Sequence, residues 1–393
     1  MTIEQELEQS GIKKFDNTDY VVEQIISIFL LKSVILLVTP TQFGKTTFIF
    51  WTIYEMVSCH DVPTDNVFIM TAMLSNDWKK QTKSRMLPCI QKNVWHNSDI
   101  RNLDNKAKLK KAVESNQPVL VVIDEVHIGS STSNTIFTIF KWLSKLSTPQ
   151  QVFNYLFQNK VKFLLVSATP DSFVDSVLSN SKDCSLVCAF SLLHPPSEYV
   201  WHKTFLDHNR ISSTDSLLNE TFFEEIIQRI KSYSQPLYHV VRPNSLEYRC
   251  VVKSFKNHFK VIEYNNKNWI HLTKTLEEKP KFHTIILLKE MLRVAQTMCI
   301  KNVGVLVDRC VKDCTSVNSS TVCQSLVGRA SGHDKLKYIN QIYIYSYVNA
   351  SKKYVALWES NFNYEKVPGY IGYGIKVDDN GEITFTKKNY LKV

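Results

Sequence analysis

The sequence predicts an α/β protein of doubly wound parallel sheets. Short, continuous, β-rich apolar runs recur along the chain, the pattern of strands buried on both faces. Helix-length amphipathic stretches separate them, and such alternation marks parallel sheets covered by helices. Composition is the third support: 393 residues, 44% hydrophobic and 21% charged, can bury a sizeable core and fill two or three domains. A mainly disordered chain, a collagen-like repeat and a disulfide miniprotein are excluded.

The elements follow in order. The run from Val21 to Val38 is long enough to suggest a membrane span, but Glu23, Gln24, Lys32 and Ser33 interrupt it. It reads as a helix followed by a buried strand. SVILLV (33–38), NVFIMT (66–71), PVLVVI (118–123) and KFLLVS (162–167) are the strands of a first domain. Helices such as KTTFIFWTIYEMV (45–57) and TIFTIFKWLSKL (135–146) lie between them. Around 189–235 the strand rhythm lapses into HPPSEYVWHK and one helical segment, NETFFEEIIQRIKSYS, which reads as a connection. A second α/β set follows: PLYHVV (236–241), FKVIEY (259–264), HTIILL (283–288) and VGVLVD (303–308). The last 53 residues hold eight of the 17 tyrosines and four of the ten glycines. There QIYIYSYV (341–348) alternates with period two and GEITF (381–385) follows a DDNG turn signal, so a small β-rich appendage is expected. The expected domains are 1–195, a connection at 196–235, a second domain at 236–340 and the appendage at 341–393.

Charge and cysteine content narrow the class. Lys plus Arg is 47 against 37 Asp plus Glu, a net +10 that fits a polyanionic partner, nucleic acid or an acidic surface. The nine cysteines form no CxxC pair, and the two CxxxC spacings have no clustered histidines beside them, so reduced, buried thiols are expected rather than zinc. The opening MTIEQELEQS is acidic and polar, unlike a signal peptide. The expectation is a soluble intracellular protein, of the host cytoplasm or nucleus or associated with a virion, neither secreted nor membrane-bound.

Three strand ends carry chemistry. TPTQFGKTT (39–47) follows a buried strand and opens a helix, where inward-turned N–H groups and the helix dipole favour phosphate. Thr41, Gln42, Phe43, Gly44, Lys45, Thr46 and Thr47 are its candidate nucleotide-binding residues. Lys45 would reach the β- and γ-phosphates of ATP, and the Thr46 hydroxyl would ligate Mg²⁺. The pattern GxxxxGK[ST] is met except at its first glycine, which is Thr39. VLVVIDEVHIG (119–129) ends a strand in paired acids, 79 residues after Lys45. Asp124 could hold the metal shell while Glu125 accepts a proton from attacking water. VSATP (166–170) closes the set with hydroxyls that could couple the site to a neighbouring domain.

In this order the three segments resemble motifs I, II and III of superfamily 2 helicases and translocases of the DExH type, in wording nearest the divergent members of large DNA viruses and mobile elements. The resemblance implies two RecA-like domains that clamp ATP between them and move along DNA or RNA. It implies catalytic roles for Lys45, Asp124 and Glu125, and coupling roles for His127, Ser167 and Thr169. HTIILLKEMLRVAQT (283–297) resembles motif V, and QSLVGRASGH (324–333) resembles motif VI, with Gln324 among the coupling residues and Arg329 the arginine that reaches across the cleft. Two departures stand out. Gln42 fills a place where such loops carry glycine, and Gly332 fills the place of a second arginine.

Residues 77–111 hold ten Lys/Arg and three Asp/Glu, with Trp78 and Trp95 interleaved. Lys79, Lys80, Lys83 and Arg85 are candidate phosphate contacts, sequence-blind and salt-sensitive. The alternative is a solvated charged helix face with Trp78 in the core. For the tyrosines of 343–347 a half-buried strand is favoured over base stacking. The expected activity is an ATP-dependent helicase or translocase. A degenerate nucleotide-binding protein with little turnover and a phosphate-loop ATPase of DNA packaging are the alternatives.

Overall fold

The computed structural model describes residues 14–15, 17–72, 76–126, 141–146, 149–168, 184–188, 198–264, 272–289, 298–311, 322–323, 325–360, 374–377 and 383–386. Its frame is two parallel sheets of six strands each. The first contains β1 (Val34–Val38), β2 (Val67–Met70), β3 (Val94–Trp95), β4 (Val119–Asp124), β5 (Val161–Ser167) and β6 (Cys184–Cys188), in the order β3-β2-β4-β5-β1-β6. The second contains β7 (Ile211–Ser213), β8 (Tyr238–Val241), β9 (Lys260–Tyr264), β10 (Thr284–Leu288), β11 (Val303–Val307) and β12 (Tyr343–Ser346), in the order β7-β12-β11-β8-β10-β9. The expected α/β class is therefore observed. No described helix is long and apolar enough to cross a membrane.

Local chemistry explains the elements. β1, β10 and β11 are buried at every residue, as continuous Val/Ile/Leu runs require when helices cover both faces. The helix Glu220–Lys231 begins where the Asn219 side chain accepts the N–H groups of Thr221 and Phe222, at 3.1 and 3.4 Å. Its Phe222, Phe223, Ile226, Ile227 and Ile230 make one stripe at helical spacing, buried against the second sheet.

The expected domain limits are corrected at two places. β7, inside the expected connection, pairs in parallel with β12, and β12, inside the expected appendage, pairs with β11, so both belong to the second sheet. QIYIYSYV does form a strand, but one more buried than the expected half-buried strand: only Tyr343 of β12 is partly exposed. Tyr345 is fully buried, edge-on to Phe222, and its hydroxyl donates to Glu225 Oε1 at 2.9 Å. A β-hairpin does stand near the end of the chain, β13 (Gly374–Val377) antiparallel to β14 (Ile383–Thr386). The helix Val348–Glu359 returns to the first core, where Tyr354, Leu357 and Trp358 share a buried cluster with the strands of the first sheet. The chain thus ties its two sheets together after the last strand of the second.

Candidate functional site

Three neighbouring strands bring the predicted motifs to one edge of the first sheet. In the order β4-β5-β1, Asp124 is level with Val166, and Val38 with Ser167. The loop 39–47, Ser167 and the Asp124–Glu125 pair therefore leave the sheet at the same carboxyl edge, where open parallel sheets bind ligands. The Thr39 N–H donates to the Ser167 carbonyl at 3.1 Å, which fixes the start of the loop to β5.

The loop ends at Gly44, the N-cap of the 15-residue helix Lys45–Cys59. No side chain caps this helix and no acid occupies its first turn, so its dipole and N–H groups can meet an anion. Gly44 has φ +110°, and a Cβ there would lie 2.8 Å from the Phe15 ring. Only glycine fits both the conformation and the space. Gln42, which stands where the resembled loops carry glycine, holds φ +65°, a left-handed conformation, with a full side chain.

Lys45 Nζ stands 3.5 Å from Glu125 Oε1, and both side chains are almost buried. Glu125 itself sits at φ +54°, a conformation that persists only where surrounding structure enforces it. Asp124 accepts the Trp78 indole N–H at 2.8 Å and the Glu125 backbone N–H at 3.0 Å. Burial and the charge of Glu125 push the Asp124 carboxyl up to about 6, against the opposing pull of Lys45 and the indole. A carboxylate and the Thr46 hydroxyl on one edge are hard oxygen donors of the kind Mg²⁺ takes, with phosphate and water completing its shell.

Arg329 comes from the other half of the chain. It lies on the short helix Leu326–Ala330, and Ser325 Oγ caps that helix by accepting the Gly328 N–H at 3.4 Å. The buried Asp308, just past β11, accepts the Leu326 N–H at 2.9 Å and the Ser346 hydroxyl at 2.6 Å, and pairs with Arg242 at 3.4 Å. This carboxylate roots the helix in the second sheet. Arg329 is 4% exposed. Burial lowers its guanidinium to about 10, while the charge of Glu125 opposes that shift, so it stays cationic at neutral pH and acts on the first sheet's carboxylate.

Direct contacts join the two halves at the loop. The Gln42 amide N–H donates to the Arg329 carbonyl at 3.0 Å, and His333 Nε2 meets the Phe43 carbonyl at 3.1 Å. The His333 ring stacks on Phe15 at 4.2 Å, and the Tyr199 hydroxyl donates to the Thr41 carbonyl at 3.2 Å. Cys323 is buried beside Thr41 and Tyr354, and burial pushes its thiol up to about 11, so it is neutral and inert. The six described free cysteines, Cys323 among them, form no disulfide.

The structure thus brings together Lys45, Thr46, Asp124, Glu125, Ser167 and Arg329. His127, Thr169 and Gln324 lie outside the described residues. The basic segment divides. The helix Asn76–Arg85 carries Lys79, Lys80, Lys83 and Arg85, but Lys79 is held by Asp99 at 2.7 Å. Lys80 is exposed, Lys83 is half-buried, and Arg85 lies within electrostatic reach of Asp124. Trp78 and Trp95 are 3% exposed, so neither offers a stacking face. Sequence reasoning missed Trp78 as a partner of Asp124, along with Phe15, Tyr199, Asp308 and Lys335. Only Asp308 had a usable signal, as an acid ending a buried strand. No protein-family model matches the chain, and neither does any curated protein.

Proposed function

We propose that the chain is an ATP- and Mg²⁺-dependent nucleic-acid helicase or translocase of two RecA-like units, hydrolysing ATP in the cleft between its two sheets. One observation carries the reading: Lys45 and Glu125 lie 3.5 Å apart at the edge of the first sheet, and the buried Arg329 from the second half is joined to the same loop through its carbonyl, which accepts the Gln42 amide N–H at 3.0 Å. Thr46 and Asp124 would hold Mg²⁺, which supplies charge neutralisation on the phosphate oxygens. Lys45 and the N–H groups of the loop orient the triphosphate. Glu125 accepts the proton of the attacking water, and ATP in the cleft would draw Lys45 from it to phosphate. Arg329 stabilises charge on the transferring group, a contribution of roughly 10³–10⁵ in rate for an arginine supplied across a cleft.

Lys80 and Lys83 support contact with a nucleic-acid backbone, because neither is in a described ion pair and both lie on the helix whose Trp78 holds Asp124. That helix is a physical link between a bound strand and the carboxylate edge. One observation favours a nucleotide-binding protein of low turnover as the second reading: Gly332 leaves Arg329 without a companion arginine. Phosphate release measured side by side with single-stranded DNA, duplex DNA and RNA separates the two. Stimulation by any polynucleotide supports the first reading, and tight ATP binding without stimulated release supports the second.

A further inference from the structure

We propose that Lys335 is a positioning residue which, with Gln42 and Gly332, latches the arginine-bearing turn to the loop 39–47. The proposal rests on the ATPase reading above, and it explains both departures from the family pattern as halves of one contact.

Lys335 Nζ lies within hydrogen-bond distance of four oxygens, one more than its three N–H groups can serve singly, so at least one N–H is shared: the carbonyls of Ser331 (2.6 Å), Arg329 (3.2 Å) and Met298 (3.3 Å), and Gln42 Oε1 (3.1 Å). The Gln42 amide N–H returns to the Arg329 carbonyl at 3.0 Å, so the side chain uses both ends of its amide. The carbonyl of Arg329 itself thereby receives two donors, one from each half of the chain.

Gly332 makes the room. Its φ is +139°, and a Cβ there would lie 3.2 Å from Lys335 Cε and 3.3 Å from Gln42 Oε1. An arginine at this place would strain the backbone and press Lys335 and Gln42 aside by a few tenths of an ångström. The turn is held from its other side by Val200, which exchanges two backbone hydrogen bonds with Gly332 at 2.9 and 2.8 Å. Gln42 has to adopt a left-handed conformation to reach across, a strain that glycine would avoid. What the loop gains is a side-chain grip on the residue that delivers the guanidinium.

The four acceptors are uncharged. Burial pushes the Lys335 amine down to about 7, and the charge of Arg329 adds to that push, while Cys299 opposes it. The contacts to Gln42 and the three carbonyls are therefore ones that either protonation state can make, and the geometry of the turn sets them.

The test is a double-mutant cycle on the full chain with Gln42→Gly, Lys335→Met and both together, read by thermal unfolding and by kcat and KM for ATP. The latch predicts that each single variant lowers kcat at least about 10-fold with KM within about 3-fold, because a displacement near 1 Å at a catalytic group costs up to about 10² in rate. It predicts that the double variant is no worse than Lys335→Met alone in kcat or midpoint, since residues sharing one contact do not add. Gln42→Gly is the discriminating variant, because it relieves the backbone strain and still loses kcat. Parental kcat in either single variant, or losses that multiply in rate and add in midpoint, would overturn the proposal. If the parent hydrolyses no ATP, the ATPase reading fails, and the latch is decided by the unfolding cycle: non-additive midpoints uphold it and additive ones overturn it.

Discussion

Gly328→Ala is the smallest change that should move Arg329 without touching it. A Cβ at Gly328 would lie 2.1 Å from the Cys323 carbonyl oxygen, 2.8 Å from its carbon and 3.2 Å from its Cα. All three are backbone atoms, so no side-chain rotation relieves the clash. Reaching a tolerable separation near 3.0 Å requires a displacement of about 0.9 Å between the helix Leu326–Ala330 and the segment before it. Overpacking of this kind costs about 1–3 kcal/mol, or several degrees in unfolding midpoint. The kinetic effect should be larger, because Arg329 is the next residue and a shift near 1 Å at a positioning site costs about 10²-fold in rate. Affinity for ATP should stay within about 3-fold, because the loop 39–47 is not altered. The assays are binding of a fluorescent ATP analogue, steady-state phosphate release with saturating polynucleotide, and thermal unfolding. Turnover within about 3-fold of the parent and an unchanged midpoint would refute the claim that this backbone contact sets the place of Arg329.

The other consequences can be measured as directly. Arg329→Ala should drop polynucleotide-stimulated turnover by at least about 10² with ATP affinity kept, and Arg329→Lys should rescue little, because an ammonium lacks the planar fork; kinetics of the two variants checks this. Charge reversal at Lys80 and Lys83 should flatten the log–log salt dependence of polynucleotide binding by roughly 0.7–0.9 for each phosphate no longer neutralised, and an unchanged slope returns this helix face to plain solvent. Lys79 is unsuitable for that test, since its reversal would also break the pair with Asp99. Acid should destabilise the fold through His202 and His239, both lowered to about 3, in each case chiefly by burial. Between pH 6.5 and 3 the unfolded chain binds protons that the folded chain refuses, so stability is full above about 6.5 and falls by about 1.4 kcal/mol per unit for each histidine as pH drops. Unfolding midpoints at pH 7.5 and 5 should show a smaller drop in His202→Gln than in the parent.

What the sequence made legible was what depends on local pattern. Continuous apolar runs marked β1, β2, β4, β5, β8, β10 and β11 because burial on both faces leaves no polar alternation to confuse the reading, and the β-rich FKVIEY marked the half-exposed edge strand β9. The loop and the paired acids were legible because phosphate and proton chemistry need those residue types at strand ends. β3, at two residues, and β7, at three, are too short to leave a period, and their pairing is set by neighbours far away in sequence. The half-buried strand expected for the tyrosines of β12 fell short at Tyr345, because a phenol can bury its whole ring when its hydroxyl finds a partner such as Glu225. Trp78 in the core was one of the two readings of its segment, but nothing local showed that its indole N–H meets Asp124. Lys335 had no signal at all. Its role exists only because Gln42, 293 residues earlier, arrives beside it.

The central claim is that Glu125 accepts the proton of a water attacking ATP, and Glu125→Gln isolates that step. The exchange keeps shape and removes the base, so it tests chemistry apart from binding. The measurement is steady-state phosphate release with saturating polynucleotide, paired with equilibrium binding of a fluorescent ATP analogue to the same preparation. The account predicts polynucleotide-stimulated release from the parent, and a loss of at least about 10²-fold in the Gln variant with analogue affinity retained. Parental release from Glu125→Gln would contradict it.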